Sequence, residues 1–197
     1  MKESLRILKD EHRSLSAVLS GLRHLTRLAG DPAVKPDFAV FRAMIRYIDE
    51  YPERQHHPKE DEFLFARLRV ACAGAAPLIE ELEREHERGA KLVRELERAL
   101  VFFEDAWPDG WLPFSDQVEA YADFHWEHMT KEEEKLFPLA ERYFSEEDWK
   151  VVDAGFASNR DPIAHIRGRD FEELFTKIVN LAPAPIGLAE PWKRSAA

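Results

Sequence analysis

Four stretches of this chain carry a core-type side chain at every third or fourth position, and in each a histidine occupies the same face. The first runs Leu5, Leu8, Leu15, Leu19 and Leu22, and His12 fills its one gap. The second runs Phe38, Phe41, Ile45 and Ile48, then in steps of four through Pro52, His56, Glu60, Leu64 and Leu68. The third has Ile79, Leu82, His86, Gly89, Val93, Leu96, Leu100 and Phe103, and the fourth Val118, Tyr121, His125, His128, Glu132, Leu136, Leu139 and Tyr143. Spacing of three and four marks one face of an α-helix. The stretches are separated by Asp31-Pro32 and Lys35-Pro36, by AGAAP and by WPDGWLP, all chain-breaking signals. Asp37 is placed to cap the second helix, and Pro52 and Pro58 are expected to kink it. The pattern predicts an all-α fold, an antiparallel up-down four-helix bundle over residues 1–144. Ser145-x-x-Asp148 and Asp170-x-x-Glu173 predict one or two short additional C-terminal helices within 145–181. The Pro- and Ala-rich residues 182–197 predict an extended or mobile tail.

The second and fourth stretches also repeat each other. HHPKEDEFLF and HMTKEEEKLF align on their Leu-Phe pairs, so that His56 falls on His128 and Glu60 on Glu132. Each half of the bundle thus has a helix with a lone interior histidine, then one with His-x-x-x-Glu, which reads as a quasi-twofold duplication. Residues four apart lie about 5–6 Å apart on one helical face, so each pair can offer an imidazole and a carboxylate to one point. A lone histidine on an apolar stripe is more often a hydrogen-bonded core group, and KEDE or KEEE alone is ordinary solvated surface. Six such groups sharing one core phase is a different matter, because buried carboxylates are costly unless paired. His12, His56, Glu60, His86, His128 and Glu132 are therefore the candidate ligands of two metal ions. His12 and His56 would hold one, His86 and His128 the other, and Glu60 and Glu132 would bridge. Imidazole with added carboxylate tilts the choice towards a redox iron pair over zinc, copper or nickel. The alternative dimetal template, Glu-x-x-His on two helices and a lone Glu on two others, finds Glu53-x-x-His56 and Glu83-x-x-His86 only on consecutive helices.

Composition narrows the partners. A formal charge of −10 argues against nucleic acid, and a single cysteine, Cys72, leaves no disulfide framework or cysteine metal site. MKESLRILKDEHRSL lacks a signal-type apolar core and no stretch approaches a membrane span. A cytoplasmic protein without membrane contact is the expectation.

The pieces KDEHRSL, HHPKEDEFLF, EREHERGAKL and HMTKEEEKLFPLA together resemble the hemerythrin-like, or HHE cation-binding, family over roughly residues 1–144. The resemblance implies a non-haem diiron centre, two iron ions bridged by carboxylates and an oxo or hydroxo group. It implies binding, sensing or reaction with a small oxidant such as dioxygen, peroxide or nitric oxide; a sensor would need a protein partner. The alternatives are a diiron redox enzyme or iron donor, as in peroxide reduction or iron–sulfur cluster repair, and a structural bundle or adaptor without metal. Oxygen carriers of the family place a second histidine four residues after the third-helix one, where this chain has Ala90. An open position on the His86/His128 metal is thus expected, unless His125 fills it. His57, about 100° round the helix from His56, is read as a supporting or surface residue. His125 and Tyr121 lie on the inward stripe, and either could line the same pocket or serve as core.

Overall fold

The computed structural model describes residues 2–158, 178 and 180–193. Five helices account for most of them: α1 (Glu3–Leu28), α2 (38–71), α3 (Ala76–Asp105), α4 (111–143) and α5 (Glu146–Ser158). Among the described residues there is no strand; Pro183 and Ala189 form an isolated bridge. The first four helices form the all-α up-down bundle, with α3 and α4 paired most extensively, α1 packed on α4 and α2 on α3. The Asp37 carboxylate accepts from the Ala39 N–H and starts α2 as the capping preference requires.

The core is divided in two. One apolar cluster holds Leu15, Leu19 and Leu22 of α1, Phe41 and Ile48 of α2, Val93 and Leu96 of α3, and Val118 of α4. The other holds Leu5 and Leu8, Leu64 and Leu68, Ile79 and Leu82, and Leu136. Each helix crosses from one cluster to the other, α1 and α3 in one direction and α2 and α4 in the opposite one. His12, His56, His86 and His128 sit at those crossings, so the polar residues form a layer between two dry halves.

The prolines of α2 do not break it. Its Phe38–Ile48 segment continues through a π-helical Asp49–His56, an α turn, a second π-helical segment Glu60–Phe65 and a final Ala66–Ala71 turn. The His57 N–H donates to Pro52 O and the Ala66 N–H to Asp61 O, both five residues back. In α4 the same widening spans Glu132–Leu136, where the Phe137 N–H donates to Glu132 O. The widened turns explain a stripe that an α-helix could not keep. At 3.6 residues per turn each step of four drifts by about 40°, so the run from Ile48 to Leu68 would sweep about 200°. Wider turns cancel the drift, and Ile48, Pro52, His56, Glu60, Leu64 and Leu68 all stay buried. All three π segments overlap or abut the His-x-x-x-Glu motifs, a placement frequent at functional sites.

Ser145 and Asp148 form the expected capping box: the Ser145 N–H donates to Asp148 Oδ2 at 2.8 Å and the Asp148 N–H to Ser145 Oγ at 3.2 Å. The helix they open, α5, buries Trp149, Val152 and Phe156, and its Asp153 accepts the Ser4 N–H at the start of α1. Gly155 lets α5 approach α2, since a Cβ there would stand 2.3 Å from the Phe63 ring. Gly155→Ala is therefore expected to cost about 1–3 kcal/mol through overpacking, read as a lowered melting temperature with metal binding retained. The helix expected at Asp170-x-x-Glu173 lies outside the described residues. Residues 182–193 run over the first apolar cluster, with Ala182 buried and the Trp192 ring 5.8 Å from Phe41. No helix among the described residues is long and apolar enough to cross a membrane.

Candidate metal centre

The polar layer gathers all six residues singled out in the sequence, and all are buried. One donor atom each from His12, His56, Glu60 and Glu132 lies within 4.8 Å of the others, and the same holds for Glu60, His86, His128 and Glu132. The two glutamates are common to both groups. Glu132 Oε2 lies 3.2 Å from His12 Nε2, while its Oε1 lies 3.2 Å from His128 Nε2 and 3.8 Å from His86 Nε2. Glu60 Oε2 lies 3.4 Å from His56 Nε2 and 3.6 Å from His86 Nε2.

Every one of these histidines turns Nε2 inward and Nδ1 to a carboxylate on a neighbouring helix. His12 meets Glu133 at 2.8 Å, His56 meets Glu11 at 2.7 Å, His86 meets Asp61 at 2.8 Å and His128 meets Glu85 at 2.9 Å. An ionised carboxylate can only accept, so in the neutral rings Nδ1 carries the proton and Nε2 keeps its lone pair for the centre. Such carboxylate–histidine pairs fix the tautomer and ring orientation of metal-ligating imidazoles. None of these four acids stands out in the sequence. Their signal was adjacency: Glu11 precedes His12, Glu85 precedes His86, Asp61 follows Glu60 and Glu133 follows Glu132. Each helix presents one residue inward and its neighbour sideways, to the next helix's histidine.

Protein alone does not satisfy this layer. Both oxygens of Glu60, both of Glu132 and the His12 Nε2 are buried without a hydrogen-bond partner, against the strong tendency of buried polar groups to be paired. His86 Nε2 and His128 Nε2 face each other at 3.2 Å, and in the neutral rings, with both Nδ1 protons directed outward, neither nitrogen has a proton to offer the other. Burial, then the charge of Glu132, pushes the Glu60 carboxyl well above its usual range. Burial opposes ionisation of Glu132 too, but His128, His12 and His86 outweigh it and hold that carboxyl well down. Burial also opposes charging His12, yet Glu132 and Glu133 raise it to about 9. His128 is likewise raised to about 9, by Glu132 and Glu85 against burial. A cation at this position neutralises both carboxylates and accepts the inward lone pairs, so the donor set fits a metal site.

A second polar group adjoins the first. His57 is buried, not at the surface, with its ring 4.1 Å from that of His86 and nearly parallel to it. Tyr121 Oη donates to Glu53 Oε1 at 3.0 Å and lies 3.1 Å from His125 Nε2, whose Nδ1 faces the Tyr121 carbonyl at 3.3 Å. With both nitrogens engaged, His125 does not reach into the ligand groups. Ala90 is exposed and brings no side chain to the layer. The inward residue after His86 is Gly89, where a Cβ would stand 3.0 Å from Glu53 Oε1. That gap lets Glu53, which the sequence analysis assigned no role, lie against α3. On the opposite flank a cleft between α1 and α4, lined by His12, Arg13, Trp126, Met129 and Glu133 among others, opens beside His12.

A model of the hemerythrin HHE cation binding domain matches residues 3–140. A search of curated proteins found no match to the chain. The family match covers well over half of the 197 residues and contains every residue of the layer, and the protein belongs to the hemerythrin HHE cation-binding domain family.

Proposed function

We propose that this is a non-haem diiron protein that binds, senses or reacts with a small oxidant: dioxygen, peroxide or nitric oxide. One iron is assigned to His12 and His56, the other to His86 and His128, with Glu60 and Glu132 shared. The observation that carries the reading is the set of four orphaned carboxylate oxygens facing four inward imidazole nitrogens. A purely structural hydrogen-bond network would have satisfied those oxygens, because an unpaired buried polar atom costs stability.

Bound iron would supply redox electrons and coordination positions for an exogenous ligand. The chain's own residues do the rest. Glu11, Asp61, Glu85 and Glu133 hold the imidazoles in one tautomer. The apolar clusters on either side keep bulk water from the layer. The cleft beside His12 is the route by which a small molecule approaches from solvent.

The test is metal analysis and an optical spectrum of protein purified without oxygen, before and after adding azide or nitric oxide. Two irons per chain and a ligand-dependent spectrum are expected. Absence of bound metal would sink the reading. His128→Ala removes one imidazole of a pair and is expected to lower the stoichiometry towards one ion, sparing the His12/His56 ion; retention of two ions at unchanged affinity would reject the assignment of His128.

A further inference from the structure

The two halves of the layer differ immediately after their first motif histidines. In the internal repeat His57 aligns with Met129, so an imidazole beside His86 and His128 has only a thioether as its counterpart beside His12. We propose that His57 is a third imidazole donor to the ion held by His86 and His128, oriented by the Glu53 carboxylate. The inference rests on the diiron reading above and adds a residue to it.

Three observations converge on His57. A ring nitrogen of His57 lies with donor atoms of His86 and His128 in one group no wider than 4.8 Å. Its ring centroid is 4.1 Å from that of His86 and 5.4 Å from that of His128. His57 is also buried with Nδ1 3.4 Å from Glu53 Oε2, an ion-pair distance, yet Nδ1 has no aligned hydrogen bond. It therefore has the features of the other four histidines: burial, a carboxylate at one nitrogen and metal-ligating neighbours.

The backbone explains how consecutive residues can serve different ions. The π-helical segment Asp49–His56 ends between the two histidines, and neighbouring residues diverge by about 100° round a helix. His56 is thereby turned to His12, with ring centroids 5.1 Å apart, and His57 to His86. Gly89 leaves the space into which Glu53 fits, and Tyr121 and His125 hold that carboxylate from α4. The Tyr121 hydroxyl and the His125 ring form a bracket around Glu53 Oε1, at 3.0 and 3.4 Å. His125, the alternative third donor, is committed to this bracket through both nitrogens.

The experiment is a chelator competition on the full chain loaded with ferrous iron under anoxic conditions, resolving the two binding steps, with X-ray absorption to count imidazoles per ion. His57→Ala is expected to weaken one step by at least about 10-fold and leave the other unchanged. Glu53→Gln, which removes only the orienting charge, is expected to weaken the same step by about 10–100-fold, the range for outer partners of metal ligands. Imidazole scattering should fall from five rings shared by two ions to four in His57→Ala. If His57→Ala does not fold, His57→Gln is read in its place, since it keeps a buried polar side chain. Wild-type protein with two ions, alongside a His57 variant with both affinities and the imidazole count unchanged, overturns this inference alone. Wild-type protein that takes up no metal overturns the diiron reading and this inference together.

Discussion

Glu132→Ala is expected to weaken both ions at once, by at least about 100-fold each, where His128→Ala should affect chiefly one. Glu132 is fully buried and belongs to both ligand groups, reaching His12 through one oxygen and His128 and His86 through the other. Removing an outer partner of a ligand typically costs 10–100-fold in metal affinity, and a carboxylate shared by two ions sits above that range. The substitution leaves Glu60 as the one shared carboxylate to balance two dications in a layer closed off by apolar side chains. The fold should survive, because Leu64, Leu82, Leu136 and their neighbours pack independently of the carboxylate. Far-UV circular dichroism close to wild type with metal uptake lost is the expected pair of results. Retention of either ion at wild-type affinity would exclude a bridging role for Glu132.

Removing metal from the wild-type protein should lower its melting temperature by about 10–20 °C. A ligand present at a hundred times its dissociation constant stabilises the folded state by about 2.7 kcal/mol, hence about 5 kcal/mol for two ions. A chain of this size shifts by roughly 2–4 °C per kcal/mol. The difference should also depend on pH. In the metal-free fold His12 and His128 are raised from 6.5 to about 9. Their protonation therefore stabilises the metal-free fold fully below pH 6.5, and that contribution is lost as pH rises through about 9. Metal must displace the same protons, so its affinity rises over the same window. The gap between loaded and metal-free protein is expected to widen from pH 6.5 to 9. Equal melting temperatures, or a gap that narrows over this range, would contradict the account.

How far the chain could be read in advance varies from element to element. The inward stripes of α1 and α3 keep helical spacing through His12 and His86, and their burial follows directly from the sequence. In α2 the strict fours from Ile48 to Leu68 enclose Pro52 and Pro58. The structure keeps a continuous helix with widened turns, because shifting hydrogen bonds to the fifth residue tolerates the missing N–H and holds the stripe inward. That periodicity was visible in the sequence, but its consequence depends on what the neighbouring helices require of the inner face.

The residues around the ligands divide in the same way. His12, His56, Glu60, His86, His128 and Glu132 were legible because each occupies a core position of its own helix, a property local to one segment. Glu11, Asp61, Glu85 and Glu133 were not, since each acts on a histidine of another helix and alone resembles any solvated acid. The placement of His57 inside the layer, of Ala90 outside it, and of Glu53 against Gly89 likewise depends on helix rotation and on the separation of facing helices. That four helices bury six candidate metal ligands is written in the chain itself, because hydrophobic periodicity and the cost of unpaired buried charge act along one segment at a time. Which carboxylate orients which imidazole, and how the two halves diverge, follows instead from helix packing, because those contacts are set by distances of a few ångströms between helices.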